Sequence, residues 1–138
     1  MKKLTLSAIH ESLGGKMVDF AGFYMPVQYT GVNHEHEVVR KGVGVFDVSH
    51  MGEFLLTGDK ALELIQKVTS NDASKLGVGK VQYSCLPNDK GGIVDDLLVY
   101  KIKENQYLLV VNASNIEKDW NWISGYNDLG VEMRNLSD

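Results

Sequence analysis

The sequence predicts an α+β fold, a mostly antiparallel sheet with flanking helices. Three observations carry this. Residues 80–86, 93–103 and 107–111 are strand-like runs joined by connections too short for a crossover. Helix-spaced apolar stripes alternate with the strand-like runs and do not follow each strand in turn. No glycine-rich or proline-rich linker divides the 138 residues, so the chain reads as one domain, 1–138.

The elements follow in order. Residues 6–13 predict a short helix, with Leu6, Ile9 and Leu13 on its inner side and Gly14-Gly15 stopping it. Residues 16–20 and 24–29 predict strands around Ala21-Gly22. Asn33 is positioned to cap a helix that runs to Lys41 and stops at Gly42. Residues 43–48 and 53–57 are strand-like, and Gly58-Asp59 leads into a helix from Lys60 to about Thr69, with Leu62, Ile65 and Val68 on its inner stripe. The meander 80–111 comes next, joined by Pro87-Asn88-Asp89-Lys90-Gly91-Gly92 and by Glu104-Asn105-Gln106. Residues 115–124 predict a helix with Ile116, Trp120 and Ile123 inward; Trp120 and Trp122 cannot both face in. Residues 131–136 form a last strand that reads as about to continue, so the chain is expected to be cut from a longer one.

Composition excludes several classes. The chain is 43% hydrophobic and 23% charged, with 14 Lys+Arg against 18 Asp+Glu and a net charge of −4. It lacks the basic field that nucleic acid or an anionic membrane requires. No apolar run approaches the ~18 residues of a membrane span. His10 and Glu11 come too early for a signal peptide, and the single cysteine, Cys85, forms neither an internal disulfide nor a zinc site and reads as inert core. A reduced, cytoplasmic compartment is the expectation.

The chemistry concentrates at Asp95-Asp96, two carboxylates inside an apolar strand. Side chains alternate along a strand, so Asp96 shares a face with Val94, Leu98 and Tyr100, and Asp95 shares the other with Ile93, Leu97 and Val99. A buried one must find donors. With a two-residue turn at Asp89-Lys90, Tyr83 stands opposite Asp96, and a longer loop of even length keeps it on the same face. A carboxylate with Tyr83 and Tyr100 suits a flat polar heterocycle. The competing reading is an aspartate satisfied by backbone donors.

Other motifs carry less. Asp47, Ser49 and His50 lie too close in sequence for a triad and lack a nucleophile elbow; they read as a turn that leaves Met51 to pack on a ligand or the core. His34 and His36 point about 200° apart on a helix and share no ligand face. Gly42-Val43-Gly44 and Gly77-Val78-Gly79 lack the Lys-Ser/Thr of a phosphate loop.

Several stretches together resemble the glycine cleavage T-protein family of tetrahydrofolate-dependent aminomethyltransferases. They are Lys16-Met17-Val18-Asp19-Phe20-Ala21-Gly22, Met25-Pro26-Val27-Gln28-Tyr29, residues 39–53 with Val45-Phe46-Asp47-Val48-Ser49-His50-Met51-Gly52, then Gly91-Gly92-Ile93-Val94-Asp95-Asp96 and Val111-Asn112-Ala113-Ser114-Asn115. Phe23-Tyr24 departs from the family, which often has tryptophan after the glycine.

The resemblance implies about one half of a duplicated folate-binding domain, with a longer remainder that supplies an arginine, a glutamate and a β-rich domain. It implies a transferase of glycine catabolism and one-carbon metabolism. Such an enzyme moves a one-carbon unit from the aminomethyl-lipoyl arm of H-protein to tetrahydrofolate, with release of ammonia and no metal. By the same resemblance Asp96 is the catalytic residue, and Met51, Tyr83, Asp96, Tyr100 and Asn112 line the folate pocket. Asn112 reaches the Asp96 face only if the turn at Glu104 has an odd-length loop. The isolated chain is expected to be inactive and to self-associate through uncovered edges. Competing readings are a non-catalytic folate-binding regulatory protein of the same superfamily, the folate domain of an amine-oxidising dehydrogenase, and an interaction module. A start at Met1 just before the family's usual beginning is expected to argue against the dehydrogenase.

Overall fold

The computed structural model describes residues 1–137; Asp138, the last residue of the expected 1–138 domain, lies outside the described residues. The architecture is α+β, with antiparallel sheet and four helices among the described residues. The chain forms two compact units, Met1–His50 and Met51 onward.

The first unit holds β1 (Lys2–Lys3), α1 (Ser7–Ser12), β2 (Met17–Phe20), β3 (Phe23–Pro26) and α2 (Val32–Lys41). The strand order is β1-β3-β2, with β1 parallel and β2 antiparallel to β3. Ala21 and Gly22 both take positive φ, 52° and 85°, the two-residue turn that matches strand twist. Two expectations reverse here. Helix α1 buries Ser7 and His10, while Leu6, Ile9 and Leu13 stay exposed. The reason is polar: His10 Nδ1 meets the Tyr29 hydroxyl and Nε2 meets Asp47 Oδ2, each at 2.7 Å. Helix α2 is capped at Gly31, not Asn33. The Glu35 carboxylate accepts from the backbone N–H groups of Tyr29, Thr30 and Gly31 at 2.7, 2.8 and 3.0 Å, and those bonds hold it below the usual carboxylate range.

Residues 43–48 form no strand. Their alternating valines fit a ladder, but no segment among the described residues pairs with them, and Val45 is 96% exposed. A strand without a partner leaves its backbone to water. The segment is tied down by Asp47, which accepts from the Ser49 backbone and hydroxyl and from His10. Burial pushes Asp47 up, but those bonds outweigh it and hold it low.

The second unit holds β4 (Gly52–Thr57), α3 (Ala61–Val68), β5 (Val81–Pro87), β6 (Ile93–Lys103), β7 (Gln106–Val111), α4 (Ile116–Gly125) and β8 (Glu132–Asn135). The sheet order is β5-β6-β7-β4-β8, antiparallel throughout. One face carries the core: Phe54, Leu56, Leu97, Val99, Leu109 and Val111 pack beneath the α3 stripe Ala61, Leu64, Ile65, Val68 and beneath Ile123 of α4. Leu62 sits at the margin of that stripe, because at roughly 100° per residue it falls beyond Ile65 on the side away from Leu64. Trp120 meets Phe54 edge-on at 5.1 Å, and Trp122 meets Tyr126 at 5.2 Å, so both indoles pack at the rim of the core. A Cβ at Gly52 would stand 2.5 Å from Ile116 Cγ1 and 2.7 Å from Val111 Cγ2, so glycine lets α4 begin directly against β4.

Two bulges set the side-chain parity. The β5–β6 ladder shifts between Leu86 and Pro87, and the β6–β7 ladder shifts between Lys101 and Lys103. Beyond the first bulge, Asn88 Oδ1 closes the loop by accepting from Lys90 and Gly92 at 3.0 and 2.9 Å.

Candidate functional site

The second unit has a hollow on the sheet face opposite its helices. Its volume is about 210 Å³, and Met51, Tyr83, Asp96, Leu97, Leu98, Val110 and Asn112 line it. Strand β6 supplies Asp96 and Leu98, β5 supplies Tyr83, and the end of β7 leads to Asn112.

The register that makes this cluster differs from the simplest expectation. Cys85 stands opposite Asp96, and Tyr83 stands opposite Leu98. The shift is two residues, so Tyr83 keeps its face and reaches Asp96 diagonally. Its hydroxyl donates to Asp96 Oδ2 at 2.5 Å. That hydrogen bond, then the carboxylate charge, raises the Tyr83 phenol above its ordinary value and keeps it protonated. Cys85 lies half-buried on the same face, so it is not a core cysteine. Tyr100 points to this face too, paired with Val81 and Leu108, but does not line the hollow.

Asn112 arrives by way of the second bulge. The tip Glu104-Asn105 is a two-residue turn, with Asn105 at φ 57°, and the extra residue Ile102 restores the odd parity that the site needs. Asn112 Nδ2 then donates to Asp96 Oδ1 at 2.7 Å and to Asp95 Oδ1 at 2.9 Å. One amide spans both neighbouring carboxylates.

Asp95 lies on the helix-covered side, as strand alternation requires. Asn115 Nδ2 donates to its second oxygen at 2.9 Å. Burial pushes Asp95 up, but the neighbouring Asp119 carboxyl and the bonds from Asn115 and Asn112 hold it below the usual range. Asn115 and Asp119 were not singled out from sequence. The signal for Asp119 was present: it is a lone carboxylate inside the stripe Ile116, Trp120, Ile123.

A larger cavity of about 750 Å³ opens within the first unit, walled by Val32, Val38, Val39, Val45 and Phe46. Of its polar groups, His10 bonds both Tyr29 and Asp47, while the buried Nδ1 of His50 in the same wall has no hydrogen-bond partner among the described residues. Among the described residues, no group of three His, Cys, Asp or Glu could hold a metal, and no helix is long and apolar enough to cross a membrane.

The hollow combines an acceptor carboxylate, a phenol, a thioether and an amide around apolar walls. It is smaller than the roughly 300–1,000 Å³ of a complete small-molecule pocket, so it suits one ring system of a longer ligand.

Comparison with known proteins bears on the family and the fold. The family described as the GCVT N-terminal domain matches residues 6–138. An aminomethyltransferase of Flavobacterium psychrophilum is 76% identical over 138 residues, which are 100% of this chain and 38% of that protein. One of Phocaeicola vulgatus is 56% identical over the same coverage. The crystal structure of glycine cleavage system aminomethyltransferase T from Bartonella henselae is similar with a TM-score of 0.89 at 36% identity, covering 99% of this chain and 38% of that one. The chain thus spans 38% of the length of these relatives.

Proposed function

The chain belongs to the GCVT N-terminal domain family, and from that premise we propose that it is the folate-ring-holding part of an aminomethyltransferase of the glycine cleavage system. Residues 1–138 are read as the N-terminal part of the folate-binding domain, about one half of a duplicated structure. The observation that carries the reading is the convergence of Met51, Tyr83, Asp96 and Asn112 on one hollow.

The residues fit a reduced pteridine. Met51 and the Tyr83 ring offer apolar contact to a flat heterocycle, and Asp96 accepts from its N–H groups. Tyr83 and Asn112 fix the two Asp96 oxygens, so the carboxylate is aimed before the ligand arrives. When bound, tetrahydrofolate supplies the nitrogen that takes the one-carbon unit from the aminomethyl-lipoyl arm of H-protein, with release of ammonia. Asp96 orients that nitrogen and stabilises the positive charge that develops near it. Tyr100 acts at the outer margin of the ring site. No metal takes part, and the compartment is the cytoplasm. The chain alone does not turn over, because a half-pocket lacks the contacts of the remaining chain. Its exposed Val43, Val45 and Phe46 drive self-association, which light scattering reads as a mass above the monomer.

Anaerobic calorimetric titration with tetrahydrofolate tests the ligand. Saturable binding by the chain is expected, at least about tenfold weaker in Asp96→Ala, which stays folded with a stability loss below about 1 kcal/mol. Equal binding by both proteins would sink the role given to Asp96.

A further inference from the structure

Behind the hollow lies a carboxyl group that the proposed transfer does not use. Asp119 on α4 is fully buried, and no donor among the described residues reaches either of its oxygens. A buried ionised carboxylate without a donor is among the costliest arrangements a protein can hold. The group it meets is Asp95, whose own oxygens are each taken by an amide N–H, from Asn112 and from Asn115. Two ionised carboxylates can only accept. A proton on Asp119 turns the same contact into a hydrogen bond and removes one charge from the interior.

The charged groups around Asp119 all bear on this. Asp95 and Asp96 on β6 both oppose its ionisation. Lys118 on α4 favours ionisation only weakly, since its ammonium is exposed and donates to the Val94 carbonyl at 2.7 Å. Burial first, then the Asp95 carboxylate, push the Asp119 acid up to about 8.

We propose that Asp119 is a protonated positioning residue, which donates to Asp95 and through Asp95 fixes the Asn112 amide that orients Asp96. The relay runs Asp119, Asp95, Asn112, Asp96, from the helix side of the sheet to its open face. Only its last link, to the ligand, rests on the folate reading; the side-chain contacts stand without it.

Two variants of the chain, Asp119→Asn and Asp119→Leu, separate positioning from packing. Both approximate the side-chain volume, and only the first can donate to Asp95. In the parent, carboxyl ¹³C NMR should place the Asp119 titration above neutrality, and exchange of the Asn112 side-chain amide should step up as that group ionises. Asp119→Asn should remove the step and keep Asn112 exchange within about twofold of the parent at neutral pH. Asp119→Leu should speed Asn112 exchange at least about tenfold and weaken tetrahydrofolate binding. An Asp119 titration near the ordinary value of about 4 overturns the proposal. So does a folded Asp119→Leu whose Asn112 exchange is unchanged. If Asp119→Leu does not fold, the direct titration and Asp119→Asn still decide. If the parent binds no tetrahydrofolate, the folate reading fails while the Asn112 readout still decides the relay.

Discussion

On the helix-covered face of the five-stranded sheet, Phe54, Leu97, Val99, Leu109 and Val111 are sealed from water. On the open face, Leu55, Leu98, Leu108 and Val110 alternate with them and remain half-buried. Asp95 and Asp96 divide between the same two environments. Asp95 is consumed by internal partners, two amides and a buried acid. Asp96 is held by Tyr83 and Asn112 and still borders the hollow. The difference teaches that the covered face spends its polar contacts on fixing geometry, and the open face presents the result.

The largest expected effect tests the covered face alone. Phe54→Ala should lower the unfolding free energy by about 3–5 kcal/mol, and Leu55→Ala across the sheet by only about 1 kcal/mol, as read by urea denaturation. Equal losses would erase the contrast between the faces. Next come the carboxylates. Asp95→Ala strands the Asn115 amide and leaves Asn112 only its bond to Asp96, and should destabilise by about 2–3 kcal/mol, while Asp96→Ala should cost less than about 1 kcal/mol and act on folate affinity.

The pH dependence follows from opposite shifts. Asp119 is raised, to about 8, so its contribution is complete below the unfolded value near 4 and is lost as pH rises through 8. Asp95 is lowered, so its contribution is present above the unfolded value and is lost as pH falls through its folded one. The urea midpoint of the parent should therefore fall as pH rises from about 4 to about 8 and level off above that, and Asp119→Asn should flatten that drop. A parent midpoint independent of pH in that window would contradict the assignment. The smallest effect belongs to Tyr83→Phe on the open face. Stability should change by less than about 0.5 kcal/mol, and tetrahydrofolate binding should weaken by about threefold by calorimetry.

Much of this was legible from the sequence, for identifiable reasons. Alternation alone separated Asp95 from Asp96, because side-chain direction along a strand has a period of two. The meander followed from short connections. The positions of Tyr83 and Asn112 did not follow, because each depends on a bulge, at Leu86/Pro87 and at Ile102, that no residue type announces. Residues 43–48 have strand composition and no strand, since pairing depends on a partner that composition does not contain. In α1 the apolar stripe predicted the wrong face, because a histidine bonded to Asp47 and Tyr29 outweighed three aliphatic side chains. The burial of Asp119 was not legible, because a carboxylate within an apolar helix stripe is buried or exposed according to its tertiary neighbours.

The bare Cα of Gly52 makes the seating of α4 a matter of clearance. Ile116 opens that helix against it, Asn115 immediately precedes the helix, and Asp119 follows within a turn. A single methyl group at position 52 would act as a shim, lifting one end of α4 and with it both groups that grip Asp95. In a mutational survey, position 52 should therefore sort with the ligand-contacting positions, although glycine has no side chain with which to touch a ligand.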